Sequence, residues 1–221
     1  MTRGFAVYWS SATVSYLGDG VRYAALPLFA ASLSSSPGEV AAVSVAAGLP
    51  WLLFGLLAGV AVDRVDRLRL MAVAQAVRAT VGVALVAGIA TGLVDVVLLV
   101  VLVFLLYTCE VLYDIAFNSA LPSVVDHSRL QWANGRLITA EVVTFEFVGP
   151  ALGGVLFVLS PVLPFAFDGV TFAVSALLLL VVARRVGVRR QEPAVRRPRC
   201  AWSSSRACAG SGATTWFVRS P

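Results

Sequence analysis

Lysine is absent from this chain; all 17 basic residues among its 221 are arginine. Charge of either sign is scarce, at 13% of residues, whereas a soluble domain carries about 25%. So few charges cannot solvate a globular surface. With 59% hydrophobic residues and a mean hydropathy of +0.87, the solvent of this chain is lipid. Histidine occurs once, as His127, without a ligand-spaced partner. The three cysteines, Cys109, Cys200 and Cys208, form no CxxC or Cys/His spacing. These absences exclude a zinc site and a disulfide framework, and neither metal nor cofactor is expected. The start, MTRGFAVYWS, lacks a short apolar core followed by a small-residue cleavage site. The first apolar stretch is therefore expected to remain as an anchor.

Long apolar runs are what the chain does have. At about 20 residues per span, they number six: 6–32, 40–62, 69–92, 95–118, 137–159 and 163–185. The expected fold is an all-α membrane protein, with a six-helix bundle over 1–186 and a basic, disordered tail over 187–221. Between the spans lie SLSSSPGE, DRVDRLR, TGLVD, the longer ALPSVVDHSRLQWANGR, and SPVLP. Fifteen arginines, namely Arg3, Arg64, Arg67, Arg69, Arg129, Arg136 and the nine from Arg184 onward, fall on one side; the opposite loops hold none. The positive-inside rule then predicts a multi-pass cell-membrane protein with both termini cytoplasmic. The net charge of +5 follows from those loops, so the expected partner is the bilayer and not nucleic acid.

Arg22 and Arg78 lie within spans, as do Asp19, Glu110, Asp114, Glu141, Glu146 and Asp168. An ionisable group there costs at least a few kcal/mol unless it faces a partner or a cavity. Arg78, Glu110 and Glu146 sit at similar depth, about 12–15 Å from their cytoplasmic helix ends, which permits pairing. Asp19 and Arg22 are nearly one turn apart on the first helix. Glu110, Asp114 and Asn118 form an i, i+4, i+8 stripe on the fourth, the pattern of a polar face. Asp19, Arg22, Arg78, Glu110, Asp114 and Glu146 are the candidate solute and proton pathway. A structural ion pair locking helices together is the alternative. DGVRYAALP in the first span echoes DIAFNSALP in the fourth. An internal echo between oppositely directed helices suggests a 3+3 inverted repeat.

The string GVAVDRVDRLRL resembles the loop motif between the second and third helices of the major facilitator superfamily. Gly59, Asp63, Arg64 and Arg67 fit it, Arg69 supplies a later basic position, and Asp66 stands where the family often has glycine. The resemblance implies a charge cluster that holds one transporter conformation and releases in another. FVGPALGG is similar to the helix-five motif of the drug/proton antiporter branch through Gly149, Pro150, Gly153 and Gly154, with Phe145 where glycine is wanted upstream. Gly149 and Gly153 also make a GxxxG face for close helix contact. The 119–185 stretch resembles exporters of siderophores and macrolides. The resemblance implies half of a twelve-helix fold and, in place of enzyme chemistry, proton-coupled efflux of small amphipathic solutes by alternating access, with Asp19 or Glu110 taking the proton. A non-transporting truncated membrane protein or structural partner, and a uniporter or lipid flippase of the same fold, are the alternatives.

The tail, AWSSSRACAGSGATTWFVRSP, has no hydrophobic period. Back-translated with permissible codons and read two nucleotides later, Cys200–Pro221 gives RVELVEGLRWLRRHDLVRSLA, similar to the linker before helix seven in that exporter branch. The expectation is a frame change near Arg199, leaving a half-transporter that needs a second six-helix half or self-association. A polybasic lipid-facing segment and a plain disordered end are the alternatives.

Overall fold

The computed structural model describes residues 3–62 and 66–186, all organised around helices. Residues from 187 onward, where the basic tail is expected, lie outside it, as do Asp63 and Arg64 of the loop motif. The helices are α1 (Arg3–Leu33), α2 (Pro37–Val62), α3 (Arg67–Thr91), α4 (Val96–Val124), α5 (Leu130–Glu141), α6 (Gly149–Leu159) and α7 (Leu163–Val186). A 3-10 turn, His127–Arg129, leads into α5, and a π-helical segment, Val142–Val148, joins α5 to α6. His127–Leu159 is thus one continuous rod of 33 residues.

Local chemistry explains the ends. Asp66 caps α3, its Oδ1 accepting from the Arg69 amide at 3.1 Å. Asp95 caps α4 in the same way through the Leu98 amide, at 2.8 Å. Each cap satisfies one of the orphan amides of a first turn. Gly92 closes α3 in the left-handed conformation, φ 70°, which costs glycine nothing.

One expectation is corrected. The stretch 119–136, read as a long loop, is mostly helical, because α4 runs on to Val124 and α5 begins at Leu130. Ala133, Leu137 and Ala140 bury one face of α5, and the polar residues opposite, Gln131, Asn134 and Arg136, made it look like a loop. By length and composition alone, five of the six expected spans stand out as able to cross a membrane among the described residues. The exception is α1, where Ser10, Ser11, Thr13, Ser15, Asp19 and Arg22 dilute the apolar run.

Five helix pairings dominate the packing: α1 with α7, α3 with α7, α2 with α4, α3 with α4, and α1 with the rod at α6 and its π-helical segment. Two large apolar cores result, in addition to a small one of Val81, Leu106 and Phe172. Phe5, Tyr8, Met71, Tyr113, Phe117, Leu137 and Leu179 belong to one. Leu26, Phe29, Val43, Leu85, Leu99, Val103 and Phe165 belong to the other. Between them along α1, α3 and α7 runs a buried polar layer of Ser11, Ser15, Asp19, Arg22, Gln75, Arg78, Asp168, Thr171 and Ser175.

Candidate functional site

The layer is built around two guanidinium groups that reach no solvent. Arg22 from α1 is 2% exposed and Arg78 from α3 is 0% exposed. Arg22 Nη2 donates to Asp19 Oδ1 at 2.8 Å, one turn back on α1, and to Glu110 Oε2 of α4 at 2.7 Å. Arg78 Nη2 donates to the same two carboxylates, reaching Glu110 Oε2 at 2.9 Å and Asp19 Oδ1 by a short contact. Asp168 of α7 brings Oδ2 to 3.0 Å from Arg22 Nε. Two cations and three carboxyl groups from four helices therefore meet in one place.

Neutral groups extend the network along α1, α3 and α7. Arg78 Nη1 donates to Gln75 Oε1 at 3.2 Å, and Gln75 Nε2 donates to Ser15 Oγ at 2.7 Å and Ser175 Oγ at 3.0 Å. Ser15 Oγ donates to Asp19 Oδ2 at 3.3 Å. Aromatic faces close the cations off: the Arg78 guanidinium lies 3.9 Å from the Phe172 ring centre, and that of Arg22 lies 4.5 Å from Tyr107. Such contacts are strongest where both partners are desolvated. Removing one partner from a buried network of this kind costs about 3–5 kcal/mol, because the other charge stays buried.

Close backbone approach places α1 for this work. A Cβ on Gly149 would come 2.7 Å from the Gly20 Cα, and one on Gly153 would come 2.5 Å from the Val21 carbonyl oxygen. Gly20, in turn, faces the Phe145 carbonyl, where a Cβ would sit at 2.6 Å. The GxxxG face of α6 thus seats the stretch of α1 between Asp19 and Arg22. Gly154 meets nothing within 4 Å of an added Cβ, and Pro150 follows the π-helical segment at the first turn of α6.

Four of the six pathway residues read from the sequence converge: Asp19, Arg22, Arg78 and Glu110. Glu146 does not join them, and Asp114 makes no ion pair with them among the described residues, although it lies within electrostatic reach of Glu110, Asp19 and Arg78. Asp114 is half-buried further along α4, where Asn118 Nδ2 donates to its backbone carbonyl at 2.9 Å. Glu146 sits exposed on the π-helical segment, so equal depth did not translate into a shared face. Asp168 was the omission from that set. Its signal was a lone carboxylate within the apolar run FDGVTF, and no spacing tied it to the others. In the loop motif, Arg67 Nη1 donates to the Ser119 carbonyl at 2.7 Å, joining the start of α3 to the end of α4. Arg69 is exposed, 3.9 Å from Asp66. Asp63 and Arg64 lie outside the described residues, and Gly59 lies in α2 where side-chain surroundings are not described.

Apolar membrane helices gathered around a buried, multi-helix charge network define a membrane transporter bundle. The chain matches the transmembrane secretion effector family over residues 1–201 and belongs to this major facilitator family. It is 36% identical over 145 residues to the multidrug efflux pump Tap of Mycobacterium tuberculosis (strain H37Rv), and equally to its Mycobacterium bovis counterpart. The match covers 63% of this chain and 34% of each relative. The chain is a multi-pass membrane protein of a transporter family, not of an enzyme family.

Proposed function

We propose that this bundle is the N-terminal six-helix half of an exporter that moves small amphipathic solutes out across the cell membrane by alternating access, with proton movement at the arginine–carboxylate layer coupled to release. The observation that carries the reading is the layer itself. Asp19, Arg22, Arg78, Glu110 and Asp168 join α1, α3, α4 and α7 through ion pairs within the bundle. Burying that many charges is expensive even when they are paired, so a layer of this kind marks a working role or a specified packing. A drug-like cargo draws support from the relatives described as multidrug efflux pumps.

The packing also supports a 3+3 inverted repeat. Exchanging α1 with α4, α2 with the α5–α6 rod, and α3 with α7 maps the five main pairings onto one another. The same exchange pairs the two helices that carry the sequence echo, with Asp19 on α1 and Asp114 on α4. All six spans then cross the bilayer, α1 included, its buried polar residues being paired with groups on α3, α4 and α7. Both termini are cytoplasmic on the arginine distribution, and transport requires a second six-helix half or a second copy of this bundle.

The test is solute efflux from proteoliposomes that hold this chain alone or with the second half of a relative. Efflux is expected only in the combined form and only with an imposed pH gradient. Gradient-independent movement would favour a uniporter or flippase of the same fold. No movement in the combined form would leave a structural membrane protein.

A further inference from the structure

The layer holds three carboxyl groups, Asp19, Glu110 and Asp168, against two guanidinium groups, Arg22 and Arg78. With all five ionised, one negative charge is left over within the layer, and Asp114 of α4 stands as a further acid within electrostatic reach of Glu110, Asp19 and Arg78. Arg22, Arg78 and Asp168 are each at most 2% exposed, so solvent screens it little, and an uncompensated charge in such surroundings is strongly disfavoured. A single proton makes the layer neutral. We propose that Asp168 carries this proton, and that its loss transfers Arg22 from Glu110 on α4 to Asp168 on α7.

The contacts make the assignment. Asp19 Oδ1 accepts from both arginines, and its Oδ2 accepts from Ser15. Glu110 Oε2 also accepts from both arginines, and its side chain is 17% exposed, the most open of the three. The Asp168 carboxylate has a single ion-pair partner among the described residues, Arg22. That contact, at Nε, is close but not aligned as a hydrogen bond, and Oδ1 has no hydrogen-bonding partner among the described residues. The carboxyl group with the fewest donors and the least solvent is the one that stays neutral. The groups facing it are Asp19 and Arg22 from α1, Arg78 from α3, and Glu110 and Tyr107 from α4. The stretch Gly149–Leu159 of α6, which also packs on α7, has no ionisable residue.

The geometry also supplies the consequence. Arg22 presents Nη2 to Asp19 and Glu110 and Nε to Asp168. Ionisation of Asp168 adds an attraction toward α7, and a small rotation of the guanidinium aligns it there at the expense of the bond to α4. The proton thus decides which helix α1 holds. This deepens the proton-coupled reading above, yet its test needs no transport.

The 221-residue chain in lipid nanodiscs is followed by infrared difference spectroscopy across pH, reading the carbonyl stretch of protonated carboxyl groups. Asp168→Glu, Asp19→Glu and Glu110→Asp each keep the count of three carboxyls to two arginines. The titrating band is expected to move from the aspartic to the glutamic position in Asp168→Glu alone. Asp168→Asn, which mimics the neutral acid, is expected to insert, to lose the band, and to unfold at a midpoint that no longer follows the titration. A band that moves in Asp19→Glu or Glu110→Asp, or that survives in Asp168→Asn, overturns the assignment. If the band behaves as expected while efflux ignores the pH gradient, the assignment stands and the coupled-export reading falls.

Discussion

Arg22 and Glu110 stand 88 positions apart in the chain, yet the Arg22 Nη2 atom lies 2.7 Å from Glu110 Oε2. The contact ties α1 to α4, the helices that begin the two halves of the proposed repeat. Arg78 of α3 reaches the same Glu110 oxygen at 2.9 Å, so one carboxylate is shared by two helices at once. A bond shared in this way is strong while the layer is intact and weak to any change in the number of charges.

That dependence gives the first prediction. Arg78→Gln leaves Asp19 and Glu110 each short of a cation, and is expected to destabilise the bundle by about 3–5 kcal/mol. Arg78→Gln with Asp19→Asn restores the balance, and part of the loss should return. Unfolding of the two variants and of Asp19→Asn in mixed micelles measures the coupling. Strict additivity would mean that the two residues do not act on each other.

The glycines on α6 separate contact from motif. At Gly149 and Gly153 an added Cβ runs into the backbone of α1, at 2.7 Å and 2.5 Å, and backbone cannot rotate away. Gly149→Ala and Gly153→Ala should each cost about 1–3 kcal/mol. Gly154→Ala, with open space around it, should stay within about 0.5 kcal/mol of the parent. Equal losses at all three would refute the packing of α6 on α1.

At the start of α3, Asp66→Ala removes the acceptor for the Arg69 amide and should cost about 1 kcal/mol. Asp66→Asn retains an acceptor and should lose little. Denaturant titration of the pair tells a cap from a purely electrostatic role.

Topology can be read by labelling. In a background without Cys109, Cys200 and Cys208, cysteines at Ser35 and Pro161 should react with an impermeant reagent from outside. One at Leu130 should not. Labelling of Leu130 from outside would reverse the orientation drawn from the arginines.

Much of this architecture was legible in the sequence, for physical reasons. Apolar runs in a chain without lysine mark the spans, and the arginine-bearing loops between them set the direction. Asp19, Arg22, Arg78 and Glu110 stand out because lipid-facing helices do not tolerate them unpaired. The partners themselves were not legible. Depth along a helix follows from counting residues, but the face a residue shows depends on how neighbouring helices pack, which is why Glu146 was grouped with Arg78 and stands apart. Asp168 shows the reverse. It is one carboxylate in an apolar run, and only the close packing of α7 on α1 and α3 brings it to Arg22. The start of α5, before the expected span at 137, was hidden because its polar residues around the buried Ala133 give it the composition of a loop.

The measurement that bears most directly on the account is pH-gradient-driven efflux in proteoliposomes that carry this chain with the second half of a relative. The parent is expected to move an amphipathic solute with the gradient present and to stop when it is dissipated. Arg22→Gln, which removes the group shared by Asp19, Glu110 and Asp168, is expected to insert yet lose that dependence. Gradient-dependent efflux that is unchanged in Arg22→Gln would contradict a coupling role for the buried layer.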